Sequence, residues 1–151
     1  MKSINRRDFI RLSGTTAATG IAVGFPHIAL GATRKVVIVG GGVGGCTAAK
    51  YLHKMDPNIE VTLITAEPTY ISCFMSNEVL SGDRKMNSIT FSYDGLRKYG
   101  IKVLIDRVVG IDPAAKVTQT AGGHKFNFDA CIVSPGVDFK WETVDGYDAK
   151  A

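Results

Sequence analysis

Two apolar patterns alternate along the chain from Arg34 onward. "KVVIVG" (35–40) is a continuous β-branched run closing on glycine, the pattern of a central parallel strand buried on both faces. In "VGGCTAAKYLHKM" (43–55), Ala48, Ala49, Leu52 and Met55 recur at helical spacing, and Asp56-Pro57-Asn58 stops the run. "IEVTLI" (59–64) then reads as a second strand. Strand, glycine turn, helix and strand fit within about thirty residues, the size of a βαβ crossover. Further on, "FSYDGLRKYG" predicts a short helix ended by Gly100, and "IKVLID" another buried strand. The stretch 107–136 differs. It predicts short strands around an Asp112-Pro113 turn and a Gly122-Gly123 hairpin, then an apolar run from Ala130 to Val133 closing on Pro135-Gly136. The fold class is therefore α/β, a Rossmann-like parallel sheet carrying a small β-meander. The chain stops shortly after a strand end with no closing helix, which predicts a domain incomplete at its C-terminus.

The first 31 residues break this pattern. "NRRDFIRL" sets Arg6 and Arg7 before Phe9-Ile10, and a weakly apolar stretch from Leu12 to Phe25 is interrupted by Gly, Ser and Thr. That stretch is too short and too polar for a membrane span. A basic start, an apolar middle and small residues near Gly31-Ala32 make residues 1–31 a twin-arginine signal peptide and residues 32–151 the mature domain, which predicts export to the periplasm with no transmembrane segment. Composition changes the picture only slightly. At 151 residues, with 45% hydrophobic and 21% charged residues, the chain is a folded domain. Its formal charge of +4 falls to +1, 14 basic against 13 acidic residues, once 1–31 are set aside. That excludes a nucleic-acid partner.

The chemistry concentrates at the first strand-helix junction. Gly40, Gly42 and Gly45 spell G-x-G-x-x-G, where a tight turn, close backbone approach to a pyrophosphate and close helix packing each ask for glycine. The strand and helix context supports a dinucleotide site, with the helix N-terminus facing phosphate. An acid is expected at the tip of the second strand to bind ribose hydroxyls. Instead Thr65 stands there with Glu67 two residues on, so either can serve. The glycine turn does not separate FAD from NAD. Three cysteines, Cys46, Cys73 and Cys131, are an odd count for an exported chain, and at most two can pair. Cys73, between Tyr70 and Phe74, can be an ordinary buried cysteine, half of a disulfide or an attachment point. Cys46 and Cys131 read as small buried hydrophobes, and Arg84 and Lys85 as a solvated charge pair. His27 falls in the signal, and His53 and His124 have no second ligand at metal-like spacing, so no metal site is expected.

The meander resembles that of the two-dinucleotide-binding flavoproteins: a strand from Val108 crossing near the adenine, and a last strand ending at Pro135 and Gly136 beside the dinucleotide. More specifically, "KVVIVGGGVGGCTAAKYL", "YISCFMSNEVLSGDRK", "YDGLRKYGIKVL", "GIDPAAKVTQTAGG", "FDACIVSPGVDF" and "VDGYDAKA" resemble the flavoprotein subunit of flavocytochrome c sulfide dehydrogenase. In that family a cysteine followed by S-N-E-V carries FAD through a thioether to the flavin's 8α-methyl position, and Cys73 with Ser76-Asn77-Glu78-Val79 matches. The resemblance implies oxidation of sulfide to sulfur or polysulfide by covalently bound FAD, with electrons passing to a cytochrome c haem subunit in a heterodimer. The family's redox cysteine pair is expected beyond residue 151, so no catalytic residue is assigned here and this stretch alone is expected to be inactive. The alternatives are a sulfide:quinone oxidoreductase and a non-catalytic exported flavin electron carrier.

Overall fold

The computed structural model describes residues 33–138, 140–143 and 145–146. The signal-like segment through Gly31 lies outside them. Among these residues, nine strands and three α-helices follow in chain order: β1 Lys35–Val39, α1 Val43–Met55, β2 Glu60–Thr65, β3 Thr69–Ile71, α2 Ser76–Ser81, β4 Thr90–Ser92, α3 Asp94–Arg97, β5 Lys102–Ile105, β6 Val108–Asp112, β7 Val117–Thr120, β8 Lys125–Asn127 and β9 Ala130–Val133. Single 3-10 turns cover Met86–Ile89 and Trp141–Thr143.

The main sheet is parallel throughout, in the order β5-β2-β1-β9, with Val36 to Val39 of β1 flanked by Val61 to Ile64 and Ala130 to Val133. Successive side chains of a strand face opposite ways, so β1 feeds two cores. Val36 and Ile38 join Ala49, Val61, Leu63, Tyr93, Leu96 and Ile101 beneath α1 and α3, while Val37 joins Ile64 and Phe128 beneath the meander β6-β7-β8. Both faces of β1 are covered, as its unbroken apolar run predicts.

Four expectations need correction. β5 and β9 are the edges of the four-stranded sheet and are only partly buried, because among the described residues neither has a second neighbouring strand. Cys131 on β9 is accordingly half-buried. Met55, the last residue of α1, is 82% exposed, since the helix packs through Gly45, Ala49 and Leu52 instead. The helix expected over 91–99 is shortened at its start: Phe91 and Ser92 pair with Tyr70 and Thr69 as the antiparallel ribbon β3-β4, and only Asp94–Arg97 is α-helical before Gly100 (φ +79°) turns the chain. The remaining turns match the sequence. Asp112 Oδ1 accepts the N–H groups of Ala114 and Ala115 at 2.9 and 2.8 Å, and Gly123 (φ +82°) closes the β7-β8 hairpin.

Candidate dinucleotide-binding site

The glycines of the turn between β1 and α1 are needed for different reasons. Gly40 has φ +107°, donates its N–H to Ile64 O at 2.8 Å, and a Cβ there would overlap the Ser134 carbonyl. A Cβ on Gly45 would overlap the Gly40 carbonyl, so the close seating of α1 on β1 excludes any side chain. Those two are demanded by the fold itself. Gly42 is not: its φ is −75° and a Cβ would meet nothing within 4 Å. Its bare backbone faces open space, which suits a ligand that must approach the main chain.

Gly42 is also the N-cap of α1, with no side-chain cap and no acidic residue in the first turn. The opening N–H groups and the positive end of the helix dipole are thus left for an anion. Beside them lies a cavity of about 550 Å³, within the range of small-molecule sites. Of the residues assigned from sequence, Gly40, Gly42, Thr65, Glu67, Val108, Pro135 and Gly136 line it. Gly45 supports the turn from below, and Cys73 is not on the wall.

Thr65 and Glu67 separate clearly. Thr65 is 6% exposed, its hydroxyl 3.4 Å from the Tyr93 hydroxyl, and a Cβ on Gly41 would stand 2.6 Å from Thr65 Oγ1. It props the turn from beneath. Glu67 is exposed on the cavity wall, with no hydrogen bond or ion pair among the described residues, so its carboxylate is open to a ligand there.

Sequence reasoning missed Tyr93. It is 3% exposed, its hydroxyl donates to Gly41 O at 3.1 Å, and burial raises its pKa, so the phenol keeps its proton. "YDGL" offers an aromatic before a helical turn, but nothing local says that its hydroxyl reaches a glycine 52 residues upstream. Asp106, at the C-terminal end of β5, was also missed. Its carboxylate accepts the N–H groups of Arg107 (2.8 Å) and Gly122 (3.1 Å) and lies 3.2 Å from His124 Nδ1, clasping the β7-β8 hairpin to the cavity wall. A hydrogen bond from Thr120, with those from Arg107, His124 and Gly122, holds its pKa below the ordinary carboxylate range despite some desolvation.

Cys73 is exposed and pairs with no other cysteine; Cys46 and Cys131 are also free. It lies two residues past Ile71 of β3, which does line the cavity. Its carbonyl accepts Ser76 Oγ at 2.9 Å and Ser76 N–H at 3.3 Å, and Met75 takes the left-handed conformation (φ +65°) to enter α2. Burial raises the thiol pKa of both Cys46 and Cys131. Arg84 is not merely solvated beside Lys85: its Nε lies 2.8 Å from Glu78 Oε2, because α2 turns Glu78 back toward it.

A parallel sheet, a glycine turn with a ligand-sized cavity over a helix N-terminus, and an antiparallel meander together define a dinucleotide-binding α/β unit. Residues 34–150 match the pyridine nucleotide-disulphide oxidoreductase family, and the chain belongs to it. It is similar to the sulfide dehydrogenase [flavocytochrome c] flavoprotein chain of Chlorobaculum thiosulfatiphilum, with 51% identity over 47 residues, 31% of this chain and 98% of that one. It is 30% identical over 104 residues to the sulfide-quinone reductase of Aquifex aeolicus, covering 68% of this chain and 24% of that one. The solved structure of the sulfide:quinone oxidoreductase from the same bacterium superposes with a TM-score of 0.66 at 29% identity, over 70% of this chain and 25% of that chain. The chain thus spans about a quarter of the length of these last two.

Proposed function

We propose that this chain is the dinucleotide-binding part of an exported, sulfide-oxidising flavoprotein that carries FAD on Cys73 and passes its electrons to a cytochrome c subunit. The observation that carries the reading is the open backbone at Gly42 over the cavity, where no protein atom within 4 Å accounts for the absence of a side chain. The likeness to a flavocytochrome c flavoprotein chain supports the choice of FAD and of sulfide. When bound, FAD supplies the two-electron redox chemistry. This chain's residues do the holding: the α1 N-terminus and Gly42 take the diphosphate, Glu67 the ribose hydroxyls, and Val108, Pro135 and Gly136 wall the cavity. Cys73 supplies the sulfur of the thioether, retaining a cofactor that a periplasmic protein cannot replace from the cytoplasm.

Acid denaturation of the purified holoprotein tests the tether. Yellow fluorescence is expected to stay with the polypeptide, and to leave with the solvent after Cys73→Ala. Release of free FAD from the unaltered protein would sink the covalent reading. A quinone-reducing enzyme is the second reading, favoured by the breadth of the match to sulfide-quinone reductase. Sulfide-dependent reduction of cytochrome c rather than of a short-chain quinone decides between the two.

A further inference from the structure

The Gly41 carbonyl accepts two side-chain hydrogen bonds, one from the first turn of α1 and one from a residue 52 positions downstream. Tyr93 Oη donates at 3.1 Å and Cys46 Sγ at 3.1 Å. Both donors are kept protonated by burial, so neither turns into an anion beside the site. The Thr65 hydroxyl, 3.4 Å from Tyr93 Oη, completes the buried chain. A Cβ on Gly41 would collide with Tyr93 Oη, so the contact also fixes how closely the turn sits on this support.

Those bonds act on one peptide unit. The Gly41–Gly42 bond is trans, so its C=O and N–H point in opposite directions. With the carbonyl drawn inward by two donors, the Gly42 N–H is turned to the other side. No hydrogen bond from it is seen among the described residues, and Gly41 and Gly42 both line the cavity. Drawing the carbonyl away also removes an oxygen lone pair that would repel phosphate, and donors on a carbonyl polarise its peptide and strengthen the opposite N–H.

We infer that Tyr93 and Cys46 are positioning residues for diphosphate recognition, holding the Gly41 carbonyl so that the Gly42 N–H is presented to the anion. The inference rests on the dinucleotide reading above. It gives Cys46 a polar task where its sequence context suggested only packing. It also ties the cofactor cavity to the β4-α3 segment through Tyr93.

The test is made in the full-length protein carrying Cys73→Ala, so that FAD binds reversibly. FAD, ADP and adenosine are titrated into this parent, and into the same protein with Tyr93→Phe, Cys46→Ala or Cys46→Ser. Tyr93→Phe is expected to raise the dissociation constants for FAD and ADP about tenfold, and Cys46→Ala about threefold, the range for one hydrogen bond and one weak donor. Adenosine, which has no phosphate, should change less than twofold in each. Cys46→Ser, which keeps a donor, should recover the parent's ADP affinity. ADP binding insensitive to both Tyr93→Phe and Cys46→Ala overturns the inference, as does an equal loss for ADP and adenosine. If Tyr93→Phe does not fold, the Cys46→Ala and Cys46→Ser pair decides by the same criterion. Absence of FAD and ADP binding in the parent itself overturns the dinucleotide reading, and this inference with it.

Discussion

The glycine turn and the segment that carries Cys73 both border the dinucleotide cavity, the second through Ile71, and they are built in opposite ways. The glycine turn rests on β1, β2 and α1, whose residues Ile38, Ala49, Leu63 and Ile64 are completely buried. The segment from β3 through α2 to β4, which carries Cys73, buries a single apolar side chain, Ile89, which is 3% exposed. α2 buries no residue, Leu80 is 89% exposed and Phe74 63%, and hydrogen bonds and an ion pair within the segment set its shape. The difference teaches where precision is stored. Phosphate recognition requires backbone groups fixed to fractions of an ångström, and only a packed sheet supplies that. On the proposed reading, Cys73 bonds a cofactor already seated in the cavity, a task that needs reach rather than rigidity.

The largest effect that separates the regions is predicted at Gly40. Alanine there must overlap the Ser134 carbonyl and hold φ near +107°, and the loss should exceed about 3 kcal/mol in urea unfolding. Cys73→Ala, on an exposed side chain, should stay within about 0.5 kcal/mol. Equal losses at the two sites would erase the distinction between a rigid cradle and a compliant arm.

Gly42→Ala sharpens the comparison inside the cradle. The added methyl meets no protein atom, so folding stability should change by less than about 1 kcal/mol, the scale of an N-cap substitution. FAD affinity should nonetheless fall at least tenfold, or about 1.4 kcal/mol, because the methyl stands where the diphosphate must approach. Unchanged FAD binding in this variant counts against the cavity as the cofactor site.

Asp106 tests whether the meander belongs with the rigid region. Its folded-state pKa is depressed, chiefly by the hydrogen bond from Thr120, so its contribution is present above the unfolded value of about 3.9 and is lost as pH falls through the lower folded value. Asp106→Asn should flatten the acid limb of stability over that window and leave the curve above pH 6 parallel to that of the unaltered protein. An acid limb that keeps its full slope shows that other carboxylates carry it.

Much of the rigid region can be read from the chain. β1, α1 and β2 announce themselves because burial on two faces forces unbroken β-branched runs, and because Gly40 and Gly45 sit where no other residue fits. The hairpin and the Asp112 turn are legible through residues with one conformational use. Tyr93 and Asp106 are not legible, since each acts on a backbone group brought to it only by tertiary packing, Tyr93 on Gly41 and Asp106 on Gly122. The β3-β4 ribbon was hidden for a related reason: "FSYDGL" satisfies a helical pattern locally, and only Tyr70 opposite Phe91 draws its first residues into a strand. Thr65 and Glu67 could not be ranked from spacing, because their difference is one of burial.

The smallest effect concerns what holds the Cys73 arm in shape. Arg84 Nε and Glu78 Oε2 are 2.8 Å apart with side chains 33% and 40% exposed, and the Arg84 N–H also donates to Glu78 O at 3.0 Å. The backbone bond survives Glu78→Gln, and water screens the charge pair, so global stability should fall by less than about 1 kcal/mol, and less again at high salt. A double-mutant cycle with Arg84→Met isolates the pair. The consequence should show instead in local opening: amide exchange of residues 76–84 should quicken in Glu78→Gln while that of β1 and β2 is unchanged, as expected when one segment opens without the other. Quickened exchange in β1 as well would mean that the arm and the cradle unfold together, and that the fold gives Cys73 no compliance of its own.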